Sequence, residues 1–140
     1  MSVDLGDGTA RVVITPQPAS AIQITRISYN PPGSDTASNS SLNAEWIRLT
    51  NKGRIAQQLH GWWITNATGN AYRFGRLTLR PGASVTVHSG HGRDTATDRY
   101  WRHRGYIWDN ARDFARFYSA NGTLADQCRY HDARHSQVKC

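Results

Sequence analysis

Six histidines and ten carboxylate residues are the groups of this chain that could bind a metal or move a proton. Their spacing gives little chemistry. His88-Ser-Gly-His91 sets two imidazoles three residues apart, with Asp94 behind them, and His131 and His135 lie four apart. Zinc needs three or four converging, buttressed ligands. The first pair straddles a strand end and a loop, and the second falls in a polar C-terminal stretch. Asp109, Asn110 and Asp113 offer too few oxygens for calcium. The nucleophile motif Gly-x-Ser-x-Gly is absent, and neither cysteine has a setting that would activate it. Glu45 is the only glutamate, so a carboxylate pair would have to borrow an aspartate. No catalytic residue, metal or cofactor is nominated, and the expectation is a non-enzyme.

The stronger lead is Arg99-Tyr-Trp-Arg-His-Arg-Gly-Tyr106, which interleaves cations with rings. Such a surface can pair with phosphates while its rings stack on bases. The plainer reading buries Trp101 and Tyr106 and leaves the arginines in solvent. The formal net charge is +7, unevenly spread. Residues 51–90 hold Lys52, Arg54, Arg73, Arg76 and Arg80 with no acidic residue. Residues 99–116 add Arg99, Arg102, Arg104, Arg112 and Arg116 against Asp109 and Asp113. Arginine presents a planar fork that grips carboxylate or phosphate at two points, although a GC-rich genome gives the same bias. The candidate contact residues are Arg99, Tyr100, Arg102, His103, Arg104, Lys52, Arg54, Trp63, Arg73 and Arg76. They act together only if the two basic segments share a face.

The elements that must position them read as strands. Ile22-Gln-Ile24 alternates, and Ile27-Ser-Tyr29 resumes in the opposite phase, which predicts a bulge near Thr25. Asn30-Pro-Pro-Gly33 ends that strand. Ser34–Ser41 reads as a mobile polar loop. Ile47 and Leu49 share one face of the next strand. Trp62 and Ile64 face inward and Trp63 outward, with 62–65 and 71–74 forming a hairpin. Val85 and Val87 alternate inward, and Asn121-Gly122 is a hairpin turn. No segment shows a helical period, so short strands with frequent turns predict an all-β sandwich. The expected organisation is an arm or linker over 1–20, a domain over 21–131 and a polar tail over 132–140. No apolar run is long enough to span a membrane, and Met1–Thr9 does not read as a signal peptide. Cys128 is expected to be a buried small residue and Cys140 a free terminal thiol, with a bridge between them as the alternative.

An ordered series of motifs carries a resemblance. It runs Ile27-Ser-Tyr29-Asn-Pro-Pro-Gly, Asn43-Ala-Glu-Trp-Ile-Arg-Leu-Thr-Asn51, Leu59-His-Gly-Trp62, Leu79-Arg-Pro-Gly82, and Trp108-Asp-Asn110 with Asp113. Over about residues 22–130 this resembles the lamin-tail domain, particularly its bacterial versions. The resemblance implies an immunoglobulin-like antiparallel β-sandwich without enzymatic activity. It also implies a role as an interaction platform, in a secreted or envelope-associated setting. No coiled-coil heptads precede the domain, which argues against a filament-forming lamin. Trp62 and Trp108 are expected as core anchors, and Asn51, Asn110 and Asp113 as side chains that bond loop backbone.

The expected function is therefore a binding or scaffolding module. It docks a protein partner or larger assembly through exposed aromatics and an Arg-rich surface. The alternative is sequence-independent nucleic-acid binding, accessory to a nuclease or other hydrolase. A metal-dependent hydrolase is a distant third.

Overall fold

Alternation along the chain sets which strand faces meet. A computed structural model describes residues 2–4, 11–13, 21–33 and 35–140. The strands are β1 (Ser2–Asp4), β2 (Arg11–Val13), β3 (Ile22–Ser28), β4 (Trp46–Asn51), β5 (Gln57–Gln58), β6 (Trp63–Thr65) and β7 (Ala71–Arg73). After them come β8 (Thr78–Leu79), β9 (Ser84–His88), β10 (Asp98–Tyr100), β11 (Arg112–Tyr118), β12 (Leu124–His131) and β13 (Gln137–Lys139). One short helix, α1 (Asn39–Asn43), precedes β4.

Two sheets face each other. One has the order β10-β9-β4-β3-β13 and the other β12-β11-β6-β7. Pairing within them is antiparallel except for β9 and β10, which run parallel. This is the all-β sandwich that the strand pattern implied, and it has the immunoglobulin-like character that the resemblance implied. β1–β2 and β5–β8 form two small ladders apart from these layers. The proposed arm over 1–20 falls mostly outside the described residues.

The core follows the inward phase of each strand. β4 buries Ile47, Leu49 and Asn51 and turns Trp46, Arg48 and Thr50 outward. The register of β3 shifts between Ile24 and Arg26. That bulge absorbs one residue, so Ile22, Ile24 and Ile27 all reach the core. The opposing sheet contributes Ile64, Ala115, Phe117, Ala125 and Tyr130. Trp108 is buried among them. Trp62, expected to anchor the core, is only partly buried and packs its ring 5.3 Å from Phe117. The turn at Asn121-Gly122 joins β11 to β12, with Gly122 at φ 90°, a conformation that suits glycine.

One buried carboxyl ties the start of β4 to the end of β9 and to the segment that leads into β11. Glu45 stands immediately before β4 and has no exposed surface. Its Oε1 accepts hydrogen bonds from Ser89 Oγ (2.6 Å), Ile107 N (2.6 Å) and Trp108 N (3.0 Å). Its backbone oxygen accepts from Ser89 N as well. Oε2 has no partner among the described residues. Burial pushes the carboxyl up to about 7, against the pull of the three donated bonds, with Asp113 adding a smaller upward push. Other polar side chains close the loops. Asp113 accepts from Ala67 N, Phe114 N and Asp109 N. Asn51 bonds Ile55 O, Leu79 O and Gly53 N. Asp126 Oδ2 accepts from Ile24 N across the layers.

Several details correct the sequence reading. Cys140 is not a free thiol: it is bonded to Cys128, with Cα atoms 5.8 Å apart. The bridge ties β12, at the edge of one sheet, to the end of β13, at the edge of the other. Spacing alone could not reveal it, because only the sandwich brings these edges together. Residues 137–139, placed in a polar tail, instead pair with β3 through Gln137↔Ser28, Val138↔Ile27 and Lys139↔Arg26. Only Val138 packs on the core, so no alternation marked this strand. The polar loop runs into α1, where Ser38 caps Ser41 N and Leu42 is buried. Five residues are too few to show a helical period. Asn110 bonds the Asp35 side chain at 3.1 Å rather than loop backbone.

Cys140→Ser should lower the unfolding free energy by about 2–4 kcal/mol, read from urea midpoints under oxidising conditions. An unchanged midpoint would mean the bridge carries no stability. For Glu45, the folded value near 7 exceeds the ordinary 4.5. The folded form therefore keeps a proton that the unfolded chain releases. Stability present at acid pH is lost as pH rises through this window, by up to roughly 3 kcal/mol. Glu45→Gln keeps an acceptor for the three donors and cannot ionise. Its melting temperature should stay flat over the window in which the wild type declines; parallel profiles would contradict this assignment.

Candidate functional site

The two basic segments meet only in part: Lys52 and Arg54 lie far from Arg99–Tyr106, whereas Arg76 touches Arg99 and Arg73 shares a sheet with Arg116. β10 pairs Tyr100 with His88, which pairs with Trp46 at the start of β4. Lys52 and Arg54 follow the opposite end of β4, on the order of 20 Å away at strand rise. Both are exposed. Arg76 is exposed too, and its carbonyl accepts from Arg99 Nη2 at 2.8 Å. Arg73 lies elsewhere, on the outer side of β7.

Within 99–106 most side chains are already engaged. Arg99 Nε also donates to Thr95 O at 2.9 Å. Tyr100 stacks on His88 with centroids 5.0 Å apart. Trp101 packs edge-on against Trp108 and near Tyr72. His103 Nδ1 contacts Gly105 O, and Tyr106 Oη pairs with Ser41 Oγ at 2.7 Å. Arg102 is exposed and reaches Asp94 at 3.8 Å, and Arg104 is exposed. The rings of this stretch brace the loops, so the plainer reading of Trp101 and Tyr106 describes it better.

A different surface gathers cations and rings in register. β11 reads Arg112-Asp-Phe-Ala-Arg-Phe-Tyr118. Asp113, Ala115 and Phe117 are buried, so Arg112, Phe114, Arg116 and Tyr118 turn outward. Across the sheet Phe114 is opposite Arg129, Tyr118 opposite Trp63, and Trp63 opposite Arg73. Arg116 and Arg129 place their guanidinium carbons 4.3 and 4.4 Å from the Phe114 centroid. Arg73 lies 4.7 Å from the Trp63 centroid and donates Nη1–H to Gly61 O. Trp63 and Tyr118 stack at 5.1 Å and 20°. Cation–ring contacts of this kind contribute about 0.5–1 kcal/mol each when exposed.

The outward positions of β6, β7, β11 and β12 include no aspartate or glutamate. Asp113 and Asp126, in the alternate phase, are spent on Ala67, Phe114, Asp109 and Ile24 amides. Among the described residues, the ion pairs are His88–Asp98, Arg102–Asp94 and His135–Asp132; none involves Arg73, Arg116 or Arg129. The other sheet differs. There Arg48 lies on Trp46 but donates to Thr86 Oγ1 and sits in the field of Asp98. At one end of the cationic face a cleft of about 390 Å³ opens, lined by Arg112, Arg129 and His131 and also by Asp109 and Asp113.

Trp63 and Arg73 were nominated from the sequence and belong to this face. Phe114, Tyr118 and Arg129 were not, and Arg116 was noted only as charge. The signal was available as Arg-x-Phe-x-Arg-x-Tyr at strand period. Among the described residues no group of three His, Cys, Asp or Glu side chains converges on a metal position. His88 is held between Asn43 O (2.9 Å) and Asp98 Oδ1 (2.8 Å). No helix of the described residues is long and apolar enough to cross a membrane. No curated protein is similar enough to count as a match. The fold and motif series agree with the lamin tail domain, whose family model matches residues 15–132, and the chain belongs to that family.

Proposed function

We propose that this chain is a non-catalytic binding module, and that it docks a protein partner or larger assembly through the outer face of the β12-β11-β6-β7 sheet. The observation that carries this reading is the ladder of Arg73, Trp63, Tyr118, Arg116, Phe114 and Arg129, built without an opposing carboxylate. Arginine and large aromatics are the residues that dominate binding energy at protein interfaces. A solvated charged face would need no such register. The 99–106 stretch and the Lys52–Arg54 turn then act as surroundings rather than as the contact. The Cys128–Cys140 bridge supports work in an oxidising compartment, which fits the secreted or envelope setting of similar bacterial domains.

Nucleic-acid binding is the second reading, favoured by the +7 charge and the acid-free face. It requires binding that weakens steeply with salt. Absence of binding to labelled duplex and single-stranded DNA at low ionic strength would eliminate it.

For the main reading, the variant combining Arg73→Ala, Arg116→Ala and Arg129→Ala should remain folded. It loses exposed contacts worth about 0.5–1 kcal/mol each. Association with partners from the native source should fall at least about tenfold, or about 1.4 kcal/mol. Arg54→Ala with Arg104→Ala should leave association unchanged. Equal losses in both variants, or loss only in the second, would overturn the assignment of the face.

A further inference from the structure

We infer that the partner presents an extended, acidic segment of polypeptide, with carboxylates at alternate positions, to the guanidinium forks of Arg73, Arg116 and Arg129. This rests on the docking face proposed above and names the chemistry it recognises. Three observations lead there.

The first is unbalanced charge. Arg116 and Arg129 both lie on Phe114, so their charges are no more than about 9 Å apart, within one Debye length or so at physiological salt. No outward carboxylate of the four strands offsets them. Tyr118, Trp63 and Arg73 extend the cationic strip across β6 and β7. An anionic ligand relieves this repulsion as it binds.

The second is the state of the rings. Trp63 carries Arg73 at 4.7 Å and is stacked with Tyr118. Phe114 carries two guanidinium groups. Base stacking needs open ring faces, and on these rings cations occupy that place. What the strip offers instead is the edges of guanidinium groups already oriented by the rings beneath them. Those edges match a carboxylate in two-point fashion. An acidic polypeptide uses this arrangement without displacing anything; a stacked single strand has to displace the arginines.

The third is spacing. From Arg73 on β7 to Arg129 on β12 the strip crosses three strand intervals and runs four residues along β11, from Tyr118 to Phe114, a diagonal of about 19 Å. In an extended chain, alternate side chains point the same way and repeat at about 6.6–6.8 Å. About seven residues with acids at every second position would therefore span the strip.

The test is fluorescence anisotropy with a labelled peptide of alternating Glu and Ser, at low and at physiological salt. A Gln–Ser peptide of equal length and an oligothymidine of equal charge are the comparators. The Glu–Ser peptide should bind and the Gln–Ser peptide should not. Arg116→Ala with Arg129→Ala should weaken binding by about tenfold or more, and Arg116→Lys with Arg129→Lys should also weaken it, since lysine lacks the fork. Arg54→Ala should have no effect. Circular dichroism melts confirm that each variant is folded. Failure of the Glu–Ser peptide to bind at low salt, or binding indifferent to the two arginines, overturns the inference. Tighter oligothymidine binding through these same arginines overturns the acidic polypeptide while leaving the face as the docking surface. The face itself falls if the Arg73, Arg116 and Arg129 alanine variant keeps its native partner association, or loses no more of it than Arg54→Ala with Arg104→Ala does.

Discussion

Glu45 is the group on which the rest of the structure depends. Its carboxylate lies at the seam where β4 begins, β9 ends and the irregular 107–108 segment enters the core. The last two carry backbone or hydroxyl donors that would be stranded away from water. One oxygen satisfies Ser89 Oγ, Ile107 N and Trp108 N together. A buried donor left unpaired costs about 1–3 kcal/mol, so a single side chain removes several such costs. That fixes Trp108 in the core and, with it, the ring of Trp101 that rests edge-on against Trp108. The Arg99–Tyr106 stretch is therefore built as a brace.

Around that seam the sandwich is closed from its edges. Tyr130 stacks on Tyr29 at 4.0 Å and donates Oη–H to Asp109 O. Asp126 crosses between layers to Ile24 N, and Cys128–Cys140 joins the outer strands. These ties consume the inward-facing acids. The outward face of the four-stranded sheet is left with arginines resting on rings and no acid of its own. Scaffold and exposed face are thus two phases of the same strands: in β11, Asp113, Ala115 and Phe117 hold the fold, while Arg112, Phe114, Arg116 and Tyr118 look out.

Much of the scaffold was legible in the sequence because it is local. The alternation of Ile47 and Leu49, the phase switch at Thr25 and the Asn121-Gly122 turn each act over a few residues, and the structure shows all three. The order of motifs carried the family. What escaped depends on distant chain segments meeting. Pairing of Cys128 with Cys140 needs the two sheets already stacked, and pairing of Val138 with Ile27 joins opposite ends of the domain. The bracing role of the Arg99–Tyr106 rings was hidden for the same reason, since composition cannot show that Trp101 and Tyr106 have partners at Trp108 and Ser41. Trp63 was found by its phase. Its neighbours Phe114 and Arg129 needed strand register, although the Arg-x-Phe-x-Arg-x-Tyr run on β11 carried half of the pattern.

The central claim is that contact is made on the outer face of the β12-β11-β6-β7 sheet and not on the basic, aromatic loop. Chemical-shift mapping tests it most directly. Backbone amide and arginine Nε–H resonances are followed while the alternating Glu–Ser peptide is titrated into isotopically labelled protein. The expected result is a contiguous set of shifts at Trp63, Arg73, Phe114, Arg116 and Arg129, with Lys52–Arg54 and Arg99–Tyr106 unmoved. Shifts concentrated at Arg99–Tyr106, with the sheet face silent, would contradict the account.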